Sequence, residues 1–186
     1  TAETLLAPAA VYKTFIRRAD QEPVAGRIAI FSENGIPGRE LQVATNVRAN
    51  ADPTLIPLNP GSYAVRISPT RADLAPVEIS GFEVREMGVE LSKDFELPAT
   101  YRTLFGEVQS SLQQETKLEG YTVRAQAVRS GLVSTASVTG ADGRYRILLP
   151  DSADLQLLVE AIPPETSAAQ WGYARELHIR DNREEA

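Results

Sequence analysis

The 186-residue chain contains no cysteine. That absence excludes disulfide staples, thiolate chemistry and every cysteine-based zinc or iron–sulfur pattern, so its domains must stand on core packing alone. Histidine is nearly absent as well. A Ser-His-Asp triad or a multi-histidine metal site would have to use His178, the only histidine, or not exist. No apolar run approaches the roughly 20 residues of a membrane span, and the opening TAETLLAPAA lacks the basic end and long apolar centre of a secretion signal. Positive charge is also in deficit. Nineteen Lys and Arg against 25 Asp and Glu give a net charge of -6, which opposes a phosphate backbone and argues against nucleic acid as a partner. The deficit is even: residues 1–98 carry 10 basic and 13 acidic side chains and residues 99–186 carry 9 and 12, so no basic arm or acidic tail stands out.

What the chain does have is alternation. Leu41, Val43, Thr45 and Val47 share one face against Gln42, Ala44, Asn46 and Arg48, and Tyr63, Val65 and Ile67 alternate with Ala64, Arg66 and Ser68. Tyr121, Val123, Ala125 and Ala127 alternate with Thr122, Arg124 and Gln126, followed by Tyr145, Ile147 and Leu149. A period of two is that of a strand with one side in a core. Twelve prolines and 12 glycines break these runs at short intervals, which fits a β-sandwich rather than a helical or βαβ chain. Only the charged tail RELHIRDNREEA reads as a possible short helix.

The chain also repeats itself. At an offset of 89 residues, YKTFI (12–16) matches YRTLF (101–105), each following a Pro-Ala pair, and further on LNPGSYAVRISP (58–69) resembles LPDSADLQLLVEAIP (149–163). Two tandem domains are expected, 10–98 and 99–186, with residues 1–9 the end of a preceding copy or a linker and the whole an excerpt from a longer array.

The most recognisable stretch is TGADGRYRILLP (139–150). Asp142-Gly143 lies between an apolar run, Leu132 to Val138, and a second, Tyr145 to Leu149, so it predicts a tight hairpin turn with positive φ at its centre. A calcium loop needs oxygen side chains at alternate positions and a closing Glu, and a phosphate loop needs G-x-x-x-x-G-K before a helix. Neither pattern is present. Gly106-Glu107-Val108, Leu118 to Val123, Thr139 to Tyr145 and Leu149-Pro150 together resemble the carboxypeptidase regulatory-like family. In the first half Gly26, Leu58, Pro60, Gly61, Tyr63 and the segment GVELSKDFELPA (88–99) resemble it less closely, with ANADPTLIP in place of the Asp-Gly hairpin. The resemblance implies an all-β fold of two tandem transthyretin-like or Ig-like antiparallel β-sandwich domains. Its motifs are turn and core residues, so it transfers no active site.

Lys93 breaks the inward series Val89, Leu91, Lys93, Phe95, Leu97, and a buried unpaired ammonium would cost several kcal/mol. Snorkelling at a sheet edge or a bulge would relieve it. A lysine–asparagine crosslink of the kind found in surface adhesins would use Lys13 in the first strand, but the last strand holds no Asn. Trp171 and Tyr173 share a face if extended and could stack on a sugar or a partner. His178 alternates outward from Leu177 and Ile179, and the acidic pairs Asp151/Asp154 and Glu115/Glu119 read as loop surface, without the opposed carboxylates of a glycosidase.

No catalytic constellation, cofactor or metal is expected. The expectation is a non-catalytic structural or protein-interaction module of an exported bacterial envelope or surface protein, in the periplasm or at the cell surface. Its partner would be another protein or neighbouring repeats, with loops 32–38 and 109–120 as candidate contacts. A carbohydrate-binding module is the alternative, against which the 6% aromatic content weighs. An accessory domain of a larger peptidase or transporter is a third.

Overall fold

Alternating sequence becomes strand, and among the described residues the chain is all-β with no helix. The computed structural model describes residues 9–33, 40–50, 52–110, 116–128, 131–150, 156–164 and 178–181. The chain divides into two compact units, Thr1–Arg71 with Glu78–Leu97, and Ala72–Val77 with Pro98–Ala186.

The first unit carries β1 (Ala10–Thr14), β2 (Ile16–Arg17), β3 (Pro23–Val24), β4 (Gly26–Ser32), β5 (Leu41–Val47), β6 (Thr54–Leu58), β7 (Gly61–Pro69), β8 (Val77–Val84), β9 (Glu90–Ser92) and β10 (Phe95–Glu96). Its sheets run β6-β1-β9, β10-β2-β3 and β5-β4-β7-β8. Fully buried Ile16, Ile28, Ile30, Ile56, Val65 and Ile67 come from several of these strands. Phe82 meets Tyr12 and Phe95 edge-on, with ring centroids 5.4 and 5.8 Å apart. Gly26 is required by space: a Cβ there would stand 2.9 Å from both Ile16 Cδ1 and the Ser68 carbonyl oxygen.

An antiparallel arrangement throughout was expected, and here the structure differs. β9 and β10 run parallel to β1 and β2, with Tyr12 opposite Leu91 and Ile16 opposite Phe95. The last strand returns from β8, which belongs to another sheet, and a crossover of that kind can deliver a strand parallel to the first.

The second unit carries β11 (Tyr101–Glu107), β12 (Thr122–Ala127), β13 (Ser137–Val138), β14 (Arg144–Pro150), β15 (Leu157–Ile162) and β16 (His178–Asp181), in sheets β14-β11-β16 and β13-β12-β15. Side chains from both sheets, among them Leu104, Val123, Ala125, Tyr145, Ile147, Leu149, Val159 and Ala161, form one buried cluster. Two sequence expectations need correction. The tail segment His178–Asp181 is not helical but pairs antiparallel with Arg102 to Phe105, whose backbone supplies the ladder partners. The run from Leu132 to Val138 is a strand only at Ser137–Val138. Before that it crosses between sheets: Ser134 N–H bonds to the Ala125 carbonyl of β12, then Thr135 N–H to the Leu148 carbonyl of β14.

Strand order repeats between the units. β6-β1 corresponds to β14-β11, and β5-β4-β7 to β13-β12-β15. The register, however, does not follow the 89-residue offset. Tyr12 faces Ile56 and Leu104 faces Ile147, so Tyr12 corresponds to Leu104, 92 residues on. The two offsets differ by an odd number, which exchanges the faces of a strand. Phe105, which the YKTFI/YRTLF match would equate with buried Ile16, is 41% exposed, whereas Leu104 and Val108 are fully buried. Leu104→Ala is therefore expected to lower stability by about 2–5 kcal/mol and Phe105→Ala by less than about 1 kcal/mol in denaturant titration. The reverse order would reinstate the 89-residue register.

Candidate functional site

The Asp142-Gly143 stretch is built as a turn. Gly143 N–H donates to the Gly140 carbonyl at 2.8 Å and Gly140 N–H to the Arg144 carbonyl at 3.3 Å. Neither central residue, Ala141 or Asp142, has positive φ, and the closing Gly143 does, at +71°, so this is a type I turn closed by a left-handed glycine rather than the primed turn expected from sequence. The strands it joins, β13 and β14, belong to different sheets, and that geometry does not need the twist of a two-strand hairpin. Asp142 Oδ1 accepts from Arg144 N–H at 3.1 Å, and the Arg144 guanidinium lies 3.7 Å from Oδ2. A Cβ on residue 143 would stand 2.7 Å from the Val108 carbonyl oxygen.

Thr139, which opens the stretch that carries the family resemblance, has a structural role that its place in the motif does not reveal. Its buried hydroxyl accepts from Tyr121 N–H at 2.9 Å and donates to the Leu118 carbonyl at 2.6 Å, while its backbone exchanges further bonds with Tyr121 and Gly120. One side chain thus satisfies two backbone groups where the chain enters β12. Gly143→Ala is expected to cost roughly 2–3 kcal/mol through backbone strain and the clash. Thr139→Val, which keeps the shape but orphans both groups, should cost about 1–3 kcal/mol. Thermal or chemical melts report both, and a neutral result at either position would remove the turn from the fold's requirements.

Among the ionisable groups of the described residues, three tyrosines move, all upward. Burial raises Tyr63 and Tyr145, and burial with the neighbouring Glu86 carboxylate raises Tyr12. Their environments differ. The Tyr63 hydroxyl donates to the Asn59 carbonyl at 2.7 Å, four residues upstream, whereas the Tyr145 hydroxyl is buried without a hydrogen-bond partner among the described residues. Tyr63→Phe is expected to cost about 1 kcal/mol and Tyr145→Phe nothing or less than nothing. The folded chain favours the neutral phenols, so stability holds below the unfolded pKa of about 10 and falls as pH rises beyond it. Tyr145→Phe should flatten that alkaline loss in pH-dependent melts, and an unchanged slope would contradict the burial of this ring.

Lys93 lies between β9 and β10. Its N–H bonds to the Lys13 carbonyl at 3.0 Å, and Phe95 N–H and Leu97 N–H continue the same ladder, so the strand's parity is kept. Phe95 and Leu97 are buried but Lys93 is exposed. It lines an open groove of about 480 Å³ with Ile79, Gly81, Phe82, Glu83, Asp94, Phe95 and Glu96, which gives the ammonium its route to water. Carboxylates in the groove already hold partners: Asp94 with Arg17, Glu83 with Arg85 and Glu96 with the Gln21 amide. A shallower depression of about 410 Å³ lies over Arg27, Ala44, Thr45 and Asn46.

Lys13 pairs with Glu90 across the parallel strands, both side chains exposed, so its surroundings are those of a surface ion pair and not of a buried crosslink. Glu119 is exposed. Trp171, Tyr173, Asp151, Asp154, Glu115, the side chain of His178, residues 34–38 of loop 32–38 and residues 111–115 of loop 109–120 lie outside the described residues. At the loop margins, Glu33 Oε2 accepts from Ser62 Oγ at 3.1 Å and from Gly81 N–H at 3.0 Å, and Lys117 pairs with Glu107. Among the described residues no three of Asp, Glu and His converge as a metal site, and no helix is long and apolar enough to cross a membrane.

No family model and no curated protein matches the chain, so the resemblance to carboxypeptidase regulatory-like domains rests on the residues named above. Among solved structures, a Bacteroides ovatus ATCC 8483 protein termed a "putative adhesin" aligns with 94% of this chain and 83% of its own, at 10% identity and a TM-score of 0.40. The Bacillus anthracis TIE protein aligns over 92% of this chain and 32% of its own, at 12% identity and 0.39. A second Bacteroides ovatus "putative adhesin" covers 100% and 77%, at 12% identity and 0.32. TM-scores below 0.5 do not establish a shared fold.

Proposed function

We propose that the chain is a non-catalytic structural and protein-interaction module of an exported bacterial envelope or surface protein. It would consist of two tandem transthyretin-like β-sandwich domains of the carboxypeptidase regulatory-like type, residues 10–98 and 99–186. The observation that carries the reading is β8, an eight-residue strand at the end of its four-stranded sheet, bordering the groove that Lys93 enters. An end strand offers backbone donors and acceptors to an added strand, which is how many β modules capture a partner or a neighbouring repeat. The edge is selective. Gly81, at a φ of +71°, interrupts the regular strand, and charged side chains line the groove beside it, Lys93 together with Glu83, Asp94 and Glu96, so a flat apolar strand fits poorly.

Antibodies against the chain are expected to label intact cells of the parent organism or to recover it from the periplasmic fraction. Recovery from the cytosol alone would overturn the exported assignment. Hydrogen exchange on the parent protein, which contains any neighbouring repeats, should show the β8 amides slowed relative to the isolated chain if a repeat occupies this edge.

A further inference from the structure

The outer face of the sheet β13-β12-β15 is a second surface, independent of β8. Val123, Ala125 and Ala127 of β12 point into the core, so Thr122, Arg124 and Gln126 point out. The register sets Val138 and Ile162 on either side of Thr122, Glu160 beside Arg124 and Leu158 beside Gln126, with Val128 following. Val128, Val138 and Leu158 are 62%, 63% and 56% exposed. Two of the large apolar side chains left in solvent among the described residues, Val138 and Leu158, therefore lie on this sheet and a third, Val128, directly follows β12.

The first unit supplies an internal control. In the equivalent sheet, the row matching Val138–Thr122–Ile162 is Asn46–Arg27–Ser68. Beside it, Arg66 is packed over the Phe31 ring at 5.0 Å and bonded to Glu78 at 2.9 Å. This row is thus polar in one copy and carries Val138 and Ile162 in the other, while the first unit's sheet exposes Leu41 further along β5. Strand order alone does not demand exposed valine and leucine there.

At the centre of the aliphatic face, Arg124 Nε and Nη2 contact Glu160 Oε2 at 2.9 and 2.8 Å, with the two side chains 49% and 40% exposed. That pair decides what fits opposite. A two-fold axis lying in the interface, along the strands and between β12 and β15, sets Arg124 of one copy against Glu160 of the other. It also brings Ile162 over Thr122 and Leu158 over Gln126, with Val138 on β13 at the rim of the contact. An axis across the strands sets Arg124 against Arg124 and is repelled. We propose that this face is a self-association surface, on which two copies of the chain pack sheet to sheet in an isologous contact centred on Arg124 and Glu160.

The test uses the whole chain in sedimentation velocity over a wide concentration range, with circular dichroism as the check on folding. Wild type is expected to pass from one-chain to two-chain mass as concentration rises, and Leu158→Lys to remain at one-chain mass. Arg124→Glu makes the centre all acidic and Glu160→Arg makes it all basic, so each alone should fail to pair. Mixed in equal amounts, the two are complementary at every central contact and should recover the two-chain mass. A wild type that stays at one-chain mass throughout overturns the proposal, as does association that survives either charge reversal, since that contact would lie elsewhere. Folded variants that both stay single when mixed overturn it too.

Discussion

Which face of the first strand enters each core is decided by one antiparallel pairing, β1 on β6 in the first unit and β11 on β14 in the second. Because side chains alternate, a slip of one residue would exchange the inner and outer faces of the slipping strand. Turning Ile56 and Leu58 to solvent would by itself remove about 3–6 kcal/mol of apolar burial, a large share of the 5–15 kcal/mol that holds a typical domain together. The pairing also fixes where the later strands can go. β9 and β16 occupy the remaining edge of β1 and β11, one parallel and one antiparallel, so the two units share a frame and diverge at its rim.

The frame leaves few places for buried polar groups, and the chain handles them unequally. Thr139 takes two backbone partners, and Tyr63 returns its hydroxyl to the backbone four residues upstream. The Thr14 and Tyr145 hydroxyls lie buried without a hydrogen-bond partner among the described residues. The first pair tie segments together where the chain passes between strands, a structural use of polarity in a core that has no disulfide to do the same. The second pair are tolerated because the carbon skeleton of each side chain still fills its site.

Much of this was legible in the sequence. The period-two runs at Tyr63 to Ile67, Tyr121 to Ala127 and Tyr145 to Leu149 give core strands, because alternation of large apolar and polar side chains has few other solutions. The repeat was visible too, but its register was not: Tyr and Thr occur at both YKTFI and YRTLF, and local identity carries no information about which opposite strand sets the parity. Parallel pairing of β9 with β1 is a property of chain routing that no local pattern encodes. Lys93 illustrates the limit of alternation alone, since the series correctly gives its side of the strand while the groove that lets it reach water depends on β8, ten and more residues earlier. Asp142-Gly143 signalled a turn without signalling its type, because that follows from the two sheets it connects.

The outer surfaces obey none of these constraints, so they are where use leaves a mark. Core positions in both units must be apolar and of fitting volume, and the two copies agree there: Ile56 and Ile147, Leu58 and Leu149, Ile16 and Val108 are all buried. Outward positions are free to differ, and they do. Asn46, Arg27 and Ser68 in one copy stand where Val138, Thr122 and Ile162 stand in the other. Exposed aliphatic side chains such as Val138 and Leu158 gain nothing for the monomer and carry a solubility cost, whereas covering them removes apolar area from water at about 25 cal/mol per Å². Divergence in that direction, at a position the sibling unit fills with polar groups, is better accounted for by a surface that is covered than by drift under the demands of folding.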